Sequence, residues 1–590
     1  MKRGFTLVAG LLVLTHPIDG QPARPQPRED TSRVVLIANE VWQRLRDENA
    51  GLRLREGLPV RRLPTMSADQ AAKDSVFGAT VLARLDSIGP LEVGTEDWSL
   101  AVVLRWRAEA DIASGRYYWF QNPVTPYASA LPGHDGIFTA YRFRGSTDLD
   151  GYLDLLSQYP RLIEEIAGFL RGQVRRGIVM AKPEVAASVQ MLRGMRREPG
   201  ESPLSVDSTR LRTIDPAAAR RFRMQVTGEI NESVNPAIDR LMAYLSGPYA
   251  SLAPTTVGLA QYPGGAEYYR HLVKRSLTFE MKPEEVHELG VREVARLNAS
   301  MDSIRRSVGF QGTKADFHRM LRTDSRFVPQ SPEAVRQRML GFVNALAPKL
   351  KQVFAVVPTT PYDVRRLDPA LEPGMTFGYY RGPTPAESVG VYFFNGSNLD
   401  QKSQVWYEGL AYHELLPGHH FDGLVVRDQL ARQHPIRRRF SSAAFGEGWG
   451  EYAAGLAGEL GAYADPYDRY GRFVMELFTA VRLVLDTGMN LHGWSRERAM
   501  DYMREHSVMA EPEIASETLR YCCDIPSQAL GYRMGLLKIQ ALRRKAQSAR
   551  GPAFSLKDFH QLILSDGPLP FFAVEQRVDA YLARRGKRLP

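Results

Sequence analysis

Apolar residues recur every three or four positions along much of the chain, a spacing typical of amphipathic helices. Residues 215–245 show it together with start signals, since Asp215 suits a helix cap and Pro216 suits the first helical turn. Pro283 and the two glutamates after it begin a further predicted helix, which carries an apolar stripe. Helices are predicted over residues 34–50, 68–88, 149–173, 175–192, 215–245 and 281–301.

The clearest strand signal lies at residues 390–395, Gly-Val-Tyr-Phe-Phe-Asn, which are aromatic and β-branched. Asn395 and Gly396 then form a strong turn signal, so the strand is expected to end there. This strand is our candidate for pairing with an extended peptide along a cleft, and Asn395 would then lie beside the substrate. An ordinary buried strand is the alternative.

Composition and charge narrow the class of protein. The chain has 590 residues, of which 44% are hydrophobic and 24% charged, enough to bury the core of one large or two closely packed domains. The formal net charge is +10, but the basic residues are spread along helices with one short run at residues 437–439, so we expect a solvated surface and no nucleic-acid partner. The adjacent Cys522 and Cys523 are expected to be packed thiols, because a bridge between neighbours is strained.

The first residues have the pattern of a secretory signal. A basic start, an apolar run over residues 5–14 and polar residues 19–22 follow one another. The apolar run is too short to span a membrane as a mature helix, and no cysteine follows it for a lipid anchor. We therefore expect residues 1–20 to be a cleaved signal peptide and the mature protein to be periplasmic or secreted, without a membrane anchor.

Residues 412–420, Tyr-His-Glu-Leu-Leu-Pro-Gly-His-His, set three histidines and a glutamate in an otherwise apolar stretch. In a helical zinc motif, two histidines four residues apart lie on one helix face and bind the ion. The glutamate after the first histidine polarises the metal-bound water. Here Pro417 stands at the fourth position. On a regular helix His419 would face about 120° away from His413, and His420 would lie about 10.5 Å along the axis, so neither could share the ion.

Pro417 and Gly418 resolve this difficulty. Proline lacks the amide hydrogen that a helix needs and its ring clashes with the preceding turn, while glycine relaxes the backbone. A two-residue bulge would bring His419 to the position of the usual second ligand. We therefore predict that His413 and His419 bind the metal, that Glu414 is the general base, and that His420 lies behind the ligands or faces the substrate.

A catalytic zinc ion needs a third protein ligand and an open fourth position. Glu447 is the candidate, since it follows His419 at a distance that allows a loop and a returning helix. Glu451 lies one turn further on the same face and would support the ligands from behind. Neighbouring aromatic residues indicate burial, where unpaired acids are costly. We expect one Zn²⁺ ion held by His413, His419 and Glu447; two solvated carboxylates on an exposed helix are the alternative.

The motif His-Glu-x-x-Pro-Gly-His-His resembles the hallmark of the bacterial domain-of-unknown-function 885 family, which looks like a branch of the glutamate-zincin peptidases. The resemblance implies a mainly α, two-lobed helical body with a deep cleft and a small β element beside the active site, similar to oligopeptidases of the thimet type. It also implies a catalytic region of residues 258–590, packed as one body with an N-terminal helical region of residues 21–257. The resemblance covers residues 258–269, 278–301, 379–395, 412–420, 447–452, 482–494 and 520–535.

Three further candidates come from these segments. Tyr532 matches the family and would donate from its hydroxyl to the oxyanion, with a packed aromatic residue as the alternative. Gln528 also matches, whereas Ser527 stands where the family usually has glycine. Arg520 could hold a substrate carboxylate through two hydrogen bonds, or could bridge two helices.

The leading hypothesis is a zinc-dependent hydrolase that cleaves short peptides, in which Glu414 takes a proton from water and later passes it to the leaving amine. A non-catalytic peptide-binding protein on a peptidase scaffold is one alternative, although the intact Glu414 argues against it. A zinc amidase or esterase acting on other substrates is the second, and it would use the same residues. The sequence specifies neither the substrate, nor exo- or endo-cleavage, nor the oligomeric state.

Overall fold

The computed structural model describes residues 32–129, 131–369, 372, 377–384 and 387–584. The predicted signal peptide lies outside these residues. Helices occupy most of the described chain, and three short strands form one small sheet. The prediction of a mainly α fold with a small β element is therefore confirmed. Among the described residues, no helix is both long enough and apolar enough to cross a lipid bilayer.

The helices before residue 258 follow the apolar periodicity with two interruptions. The predicted helix 149–173 is divided before Pro160, which lies in the first turn of the second piece. The predicted helix 175–192 begins later, because Gly177 adopts φ 72° and Pro183 lies in the first helical turn. Asp215 caps its helix as predicted, since its side chain accepts from the amide of Ala218. The helices are α1 (Arg33–Glu48), α2 (Ala50–Arg55), α3 (Ala68–Asp86), α4 (Glu96–Arg116), α5 (Leu131–Ala140), α6 (Ser146–Leu156), α7 (Tyr159–Val174), α8 (Lys182–Met195), α9 (Pro216–Glu229), α10 (Asn235–Tyr244) and α11 (Ala250–Leu252).

The helices from residue 258 onward include two of 25 residues, α13 and α19, which pack against each other. Short π-helical turns occur at Ile230–Val234, Leu245–Tyr249 and Arg520–Asp524. The later helices are α12 (Gly265–Leu277), α13 (Pro283–Ser307), α14 (Lys314–Thr323), α15 (Pro332–Leu346), α16 (Tyr407–Glu414), α17 (His419–Leu430), α18 (Ala443–Glu459), α19 (Pro466–Asn490), α20 (Arg496–His506), α21 (Glu511–Leu519), α22 (Leu530–Arg550), α23 (Leu556–Leu564) and α24 (Phe571–Ala583).

The sheet contains β1 (Tyr362–Arg366), β2 (Gly378–Arg381) and β3 (Gly390–Phe394) in the order β1-β3-β2. The predicted strand is β3, and it is the central one, parallel to β1 and antiparallel to β2. Its role as the strand that pairs with substrate was predicted wrongly, because both of its edges already bond to neighbours. Within the described sheet, an extended peptide could add only at β1 or β2.

The apolar core crosses residue 258. Trp98, Val103 and Trp106 of α4 belong to the same buried cluster as residues of α15, α16, α18 and α22. A second buried cluster lies wholly within residues 50–253, and a third surrounds the contact of α13 with α19. Helix α4 therefore contributes to the packing around the helices that carry the histidine motif.

Candidate metal centre

The histidine motif is divided between two helices. Helix α16 ends at Glu414 and α17 begins at His419, with a cis peptide bond before Pro417. Gly418 is required there, because a Cβ atom would lie 1.8 Å from the carbonyl oxygen of His413. The chain thus breaks completely between two helices, where we had predicted a bulge. The break brings the rings of His413 and His419 to within 4.7 Å between centroids.

His413, His419 and Glu447 each present one ligand atom, and the three atoms lie within 4.8 Å of one another. The Nε2 atoms of His413 and His419 are 3.5 Å and 3.4 Å from the same Oε2 atom of Glu447. Charge-assisted hydrogen bonds are shorter, at about 2.7–2.9 Å. Two ligands at about 2.0–2.1 Å from a tetrahedral zinc ion are about 3.4 Å apart. The distances and the donor atoms therefore fit a zinc ion.

Helix α18 presents Glu447 and also supports the two histidine helices. A Cβ atom on Gly450 would lie 2.7 Å from Cε1 of His413, so glycine leaves the space that the imidazole occupies. The indole nitrogen of Trp449 donates to the carbonyl oxygen of Pro417 at 3.0 Å. The glycine-rich sequence around Glu447 thus lets α18 approach the break between α16 and α17.

Glu451 lies one turn after Glu447 and faces the other nitrogen of His413. Its Oε1 is 3.2 Å from Nδ1 of His413, and its Oε2 accepts from Nη1 of Arg472 at 2.9 Å. A carboxylate at the far nitrogen of a ligating histidine fixes the ring orientation and the tautomer. Burial alone would raise the pKa of Glu451, but Arg472 and His413 lower it to about 2.

The charges of the three ligand residues perturb one another. Burial alone would lower the pKa of His413, but Glu447 and Glu451 raise it to about 9. Burial likewise opposes the charge on His419, whose pKa is nevertheless raised by Asp422 and Glu447. Burial would raise the pKa of Glu447, and the two imidazoles lower it. Because a ligating imidazole must be neutral, a metal cation would take the place of these protons.

Glu414 ends α16 directly after His413 and is half-buried. Burial raises the pKa of its carboxyl group, the two imidazoles oppose that shift, and Glu447 adds to it. A carboxyl group with a raised pKa beside a metal centre is typical of a general base. Glu414 therefore stays our candidate for the proton acceptor.

Tyr532 of α22 stacks on His413, with ring centroids 6.5 Å apart and planes 15° from parallel. Helices α18 and α22 approach closely because Gly448 faces Gly535, where a Cβ atom would lie 2.5 Å from the opposite Cα. Burial raises the pKa of Tyr532, and the charge of Glu447 raises it further. The phenol thus keeps its proton at neutral pH and can donate a hydrogen bond beside the ligands.

His420 is directed away from the ligand cluster. Its Nε2 hydrogen bonds with the carbonyl oxygen of Thr360 at 2.9 Å, and its Nδ1 with the hydroxyl of Tyr380 in β2 at 2.8 Å. Because a carbonyl oxygen only accepts, Nε2 is the protonated nitrogen and Tyr380 donates to Nδ1. Burial lowers the pKa of His420 to about 4. His420 therefore links α17 to the sheet as a neutral residue.

Asn395 lies in the turn after β3. Its side-chain nitrogen donates to the carbonyl oxygen of Glu372 at 2.9 Å, and its side-chain oxygen accepts from the amide of Ser397 at 2.9 Å. These contacts organise the turn. They do not join Asn395 to His413, His419 or Glu447, which the structure gathers elsewhere.

Arg520 and Gln528 bond to each other, and the charge of Arg520 acts on Tyr532. Arg520 donates from Nη2 to Oε1 of Gln528 at 2.6 Å and from Nη1 to Glu517 at 3.2 Å. Ser527 adopts φ 72°, a left-handed conformation that favours glycine, the residue usual at this position in the family that the sequence resembles. Serine thus occupies a backbone conformation that glycine would adopt without strain.

Three charged partners, Asp422, Arg472 and Arg482, were not predicted from the sequence. Asp422 follows His419 by three residues, so the two can meet on one helix face. Arg472 and Arg482 interrupt apolar runs of α19, and both are buried. A charged residue within such a run is itself a signal, because a buried charge needs a partner.

The chain is similar in sequence to one bacterial protein family and in fold to two solved bacterial structures. The family model described as "Bacterial protein of unknown function (DUF885)" matches residues 50–578. The solved structure of "the putative lipoprotein from Colwellia psychrerythraea" has a TM-score of 0.82 and 24% identity, covering 94% of this chain and 100% of that one. "A putative lipoprotein of unknown function from Shewanella oneidensis" has a TM-score of 0.72 and 16% identity, covering 92% and 99%. The fold is thus shared with both proteins, and the search of curated proteins finds no match.

Proposed function

The chain belongs to the bacterial DUF885 family, whose function is unknown, and we propose that it is a zinc-dependent metallopeptidase that hydrolyses short peptides. The observation that carries the proposal is the triangle of ligand atoms from His413, His419 and Glu447. Oε2 of Glu447 lies 3.5 Å and 3.4 Å from the two imidazole nitrogens, close to the separation of two ligands around a tetrahedral zinc ion. Glu414 beside this triangle supplies the base that hydrolysis requires.

When bound, zinc would polarise a carbonyl group and make water reactive near neutral pH. Glu414 takes the proton of the attacking water and passes it to the nitrogen of the leaving amine. Tyr532 donates its hydroxyl hydrogen to the carbonyl oxygen as negative charge develops there. Glu451, held by Arg472, keeps His413 oriented with its proton on Nδ1.

The proposal is tested by elemental analysis of the purified protein and by digestion of a mixture of short peptides. We expect about one zinc ion per chain, and we expect its loss in His413→Ala and in Glu447→Ala. Glu414→Gln should keep the zinc and lose about 10²–10⁴-fold in the rate of peptide cleavage.

Glu408→Gln is the matched control, because Glu408 lies on the same helix, is also buried, and bonds to Tyr412 and to the amide of Tyr463. It should affect stability and leave the chemistry intact. Full zinc content in both ligand variants, or an unchanged rate in Glu414→Gln, would refute the proposal. Cleavage of esters or amides alone, with no peptide cleaved, would move the function to a zinc esterase or amidase.

Export of the protein is a further part of the proposal. The pattern of residues 1–20 supports a cleaved signal and a periplasmic or secreted mature protein that begins between about residues 18 and 30. The two similar structures carry the word lipoprotein in their descriptions, which makes a lipid anchor the alternative. N-terminal sequencing and the mass of the exported protein distinguish the two, and an intact Met1 on exported protein would exclude cleavage.

A further inference from the structure

Two buried arginines lie beside Tyr532 and share one carboxylate. The guanidinium carbon of Arg482 is 4.7 Å from the Tyr532 ring centre, and its Nη2 donates to Oε2 of Glu517 at 2.9 Å. Arg520 donates to the other oxygen of Glu517 at 3.2 Å. Arg482 is 4% exposed and Arg520 5%. Two guanidinium groups on one carboxylate leave an excess positive charge in a place where unpaired charge is costly.

Asp486 and Asp524 both interact electrostatically with Arg520, but among the described residues neither makes a direct bond to an arginine of this cluster. Asp486 accepts instead from the hydroxyl of Tyr269 at 2.6 Å and from the amide of Ser527 at 2.9 Å and 3.0 Å. The hydroxyl of Tyr521 is neutral, donates to Glu517 and accepts from Nε of Arg482. We call Arg482 and Arg520 the arginine pair. With Glu517 as their one shared carboxylate, the two arginines can accommodate an additional anion.

The arginine pair also keeps unused hydrogen-bond donors. Arg482 uses Nε and Nη2, whereas its Nη1 has no acceptor among the described residues and is not fully sealed from solvent. Arg520 has a buried Nε with no acceptor in the same part of the chain. A guanidinium group has five N–H donors in a planar fork, which matches the two oxygens of a carboxylate.

We infer that the arginine pair binds the C-terminal carboxylate of the peptide substrate and that Arg482 determines this specificity. The inference rests on the proposed function. Tyr532 lies between the ligand cluster and the arginine pair, because its ring is near both His413 and Arg482. The substrate class would therefore be peptides with a free C-terminal carboxylate.

The distances also limit where the peptide is cut. The Tyr532 ring centre is 6.5 Å from the ring centre of His413 and 4.7 Å from the guanidinium carbon of Arg482, so these two groups are at most about 11 Å apart. An extended peptide spans about 3.3–3.6 Å per residue. A span of about 11 Å corresponds to about three residues of extended chain, so we expect cleavage near the C-terminus that releases about one to three residues.

The experiment compares matched peptides that differ only in a free carboxylate or an amide at the C-terminus, using the zinc-loaded full-length protein. We expect kcat/KM to be about 10- to 100-fold higher for the free carboxylate, the range of a hydrogen bond to a charged group. Mass spectrometry should show loss of one to three C-terminal residues. Equal rates for the two peptides, or internal cleavage of both, would overturn the inference and leave the proposed peptidase function standing.

If neither peptide is cleaved by zinc-loaded protein, the proposed function fails and the inference falls with it. A variant gives a second readout, because Arg482→Lys keeps a charge beside Glu517 and loses the fork. It should raise KM for the free carboxylate and lower the carboxylate preference about 10-fold. Arg437→Lys, at a buried arginine that donates to the carbonyl oxygen of Asp566, should keep the wild-type preference. An unchanged preference in folded, zinc-loaded Arg482→Lys would contradict the assignment.

Discussion

The two parts of the chain bury very different side chains. Among the described residues before 258, Glu184 is the single charged side chain that is buried, and the rest of that interior is almost wholly apolar. The described residues from 258 onward bury many charges, in pairs and short networks. They include Glu408, Glu447, Glu451, Arg472, Arg482, Asp486, Glu517, Arg520 and Arg533.

This difference distinguishes an interior that only stabilises the fold from one whose charged side chains can take part in chemistry. An apolar interior stabilises the fold through burial alone, and each of its side chains can be exchanged for another of similar size. A buried charge costs free energy unless it is paired, so a region that keeps many of them uses them for something other than stability. The pairs include Glu451 with Arg472 beside His413 and Glu517 with Arg482 beside Tyr532, which supports our proposal that residues from 258 onward form the functional part.

The largest effect should come from replacing each of the two adjacent histidines by alanine. His419→Ala should lose the zinc and all activity, because it removes a ligand. His420→Ala should keep most of the zinc, since His420 bonds to Tyr380 and Thr360, with a loss of affinity of at most about 10–100-fold. Zinc content is measured on both folded variants side by side. Zinc lost from His420→Ala but kept in His419→Ala would reverse the assignment.

The same substitution in the two parts should separate stability from metal binding. Phe138 and Phe445 are both buried, the first against Tyr152 and Tyr159 and the second two residues before Glu447. Each change to alanine should cost about 3–5 kcal/mol of the free energy of unfolding. Phe445→Ala alone should also weaken zinc binding. Denaturant unfolding and zinc titration of both variants test this, and weaker zinc binding in Phe138→Ala alone would break the comparison.

A smaller effect is expected at the support of His413. Glu451→Gln keeps the shape of the side chain but removes the negative charge between Arg472 and His413, so zinc affinity should fall about 10–100-fold. Glu459→Gln on the same helix is the control, because Glu459 pairs with Arg543 at the surface. Competition with a chelator measures the affinity. Equal affinities in the two variants would show that Glu451 does not support the ligand.

The last effect is a dependence of stability on pH. Burial raises the pKa of Asp486 to about 7, whereas the pKa of the same group in the unfolded chain is about 3.9. The folded state therefore holds the extra proton between these values, so this group's contribution to stability falls as pH rises from about 4 to 7 and is level above that. The slope is at most about 1.4 kcal/mol per pH unit. Asp486→Asn should remove it, and a difference in unfolding free energy from wild type that does not change with pH would contradict this.

The helical class and most helix positions were predictable from the sequence alone, and the metal chemistry of the motif was proposed from it. The stripe of α13 and the cap of α9 were predictable because they depend on residues three or four positions apart. The conflict of Pro417 and Gly418 with a regular helix was equally local, and it pointed to His419. Glu447 followed from the need for a third ligand of the right type.

The features that depend on residues far apart in the chain were set by tertiary packing. The break between α16 and α17 is complete because Trp449 and Gly450 of α18 pack against it. The strand β3 is central because β1 and β2 both pair with it, and strand order does not follow from the alternation of one strand. Arg472 pairs with Glu451 and Arg482 pairs with Glu517, and both glutamates lie on other helices. Periodicity shows that a side chain is buried, whereas its partner is set by how the helices pack.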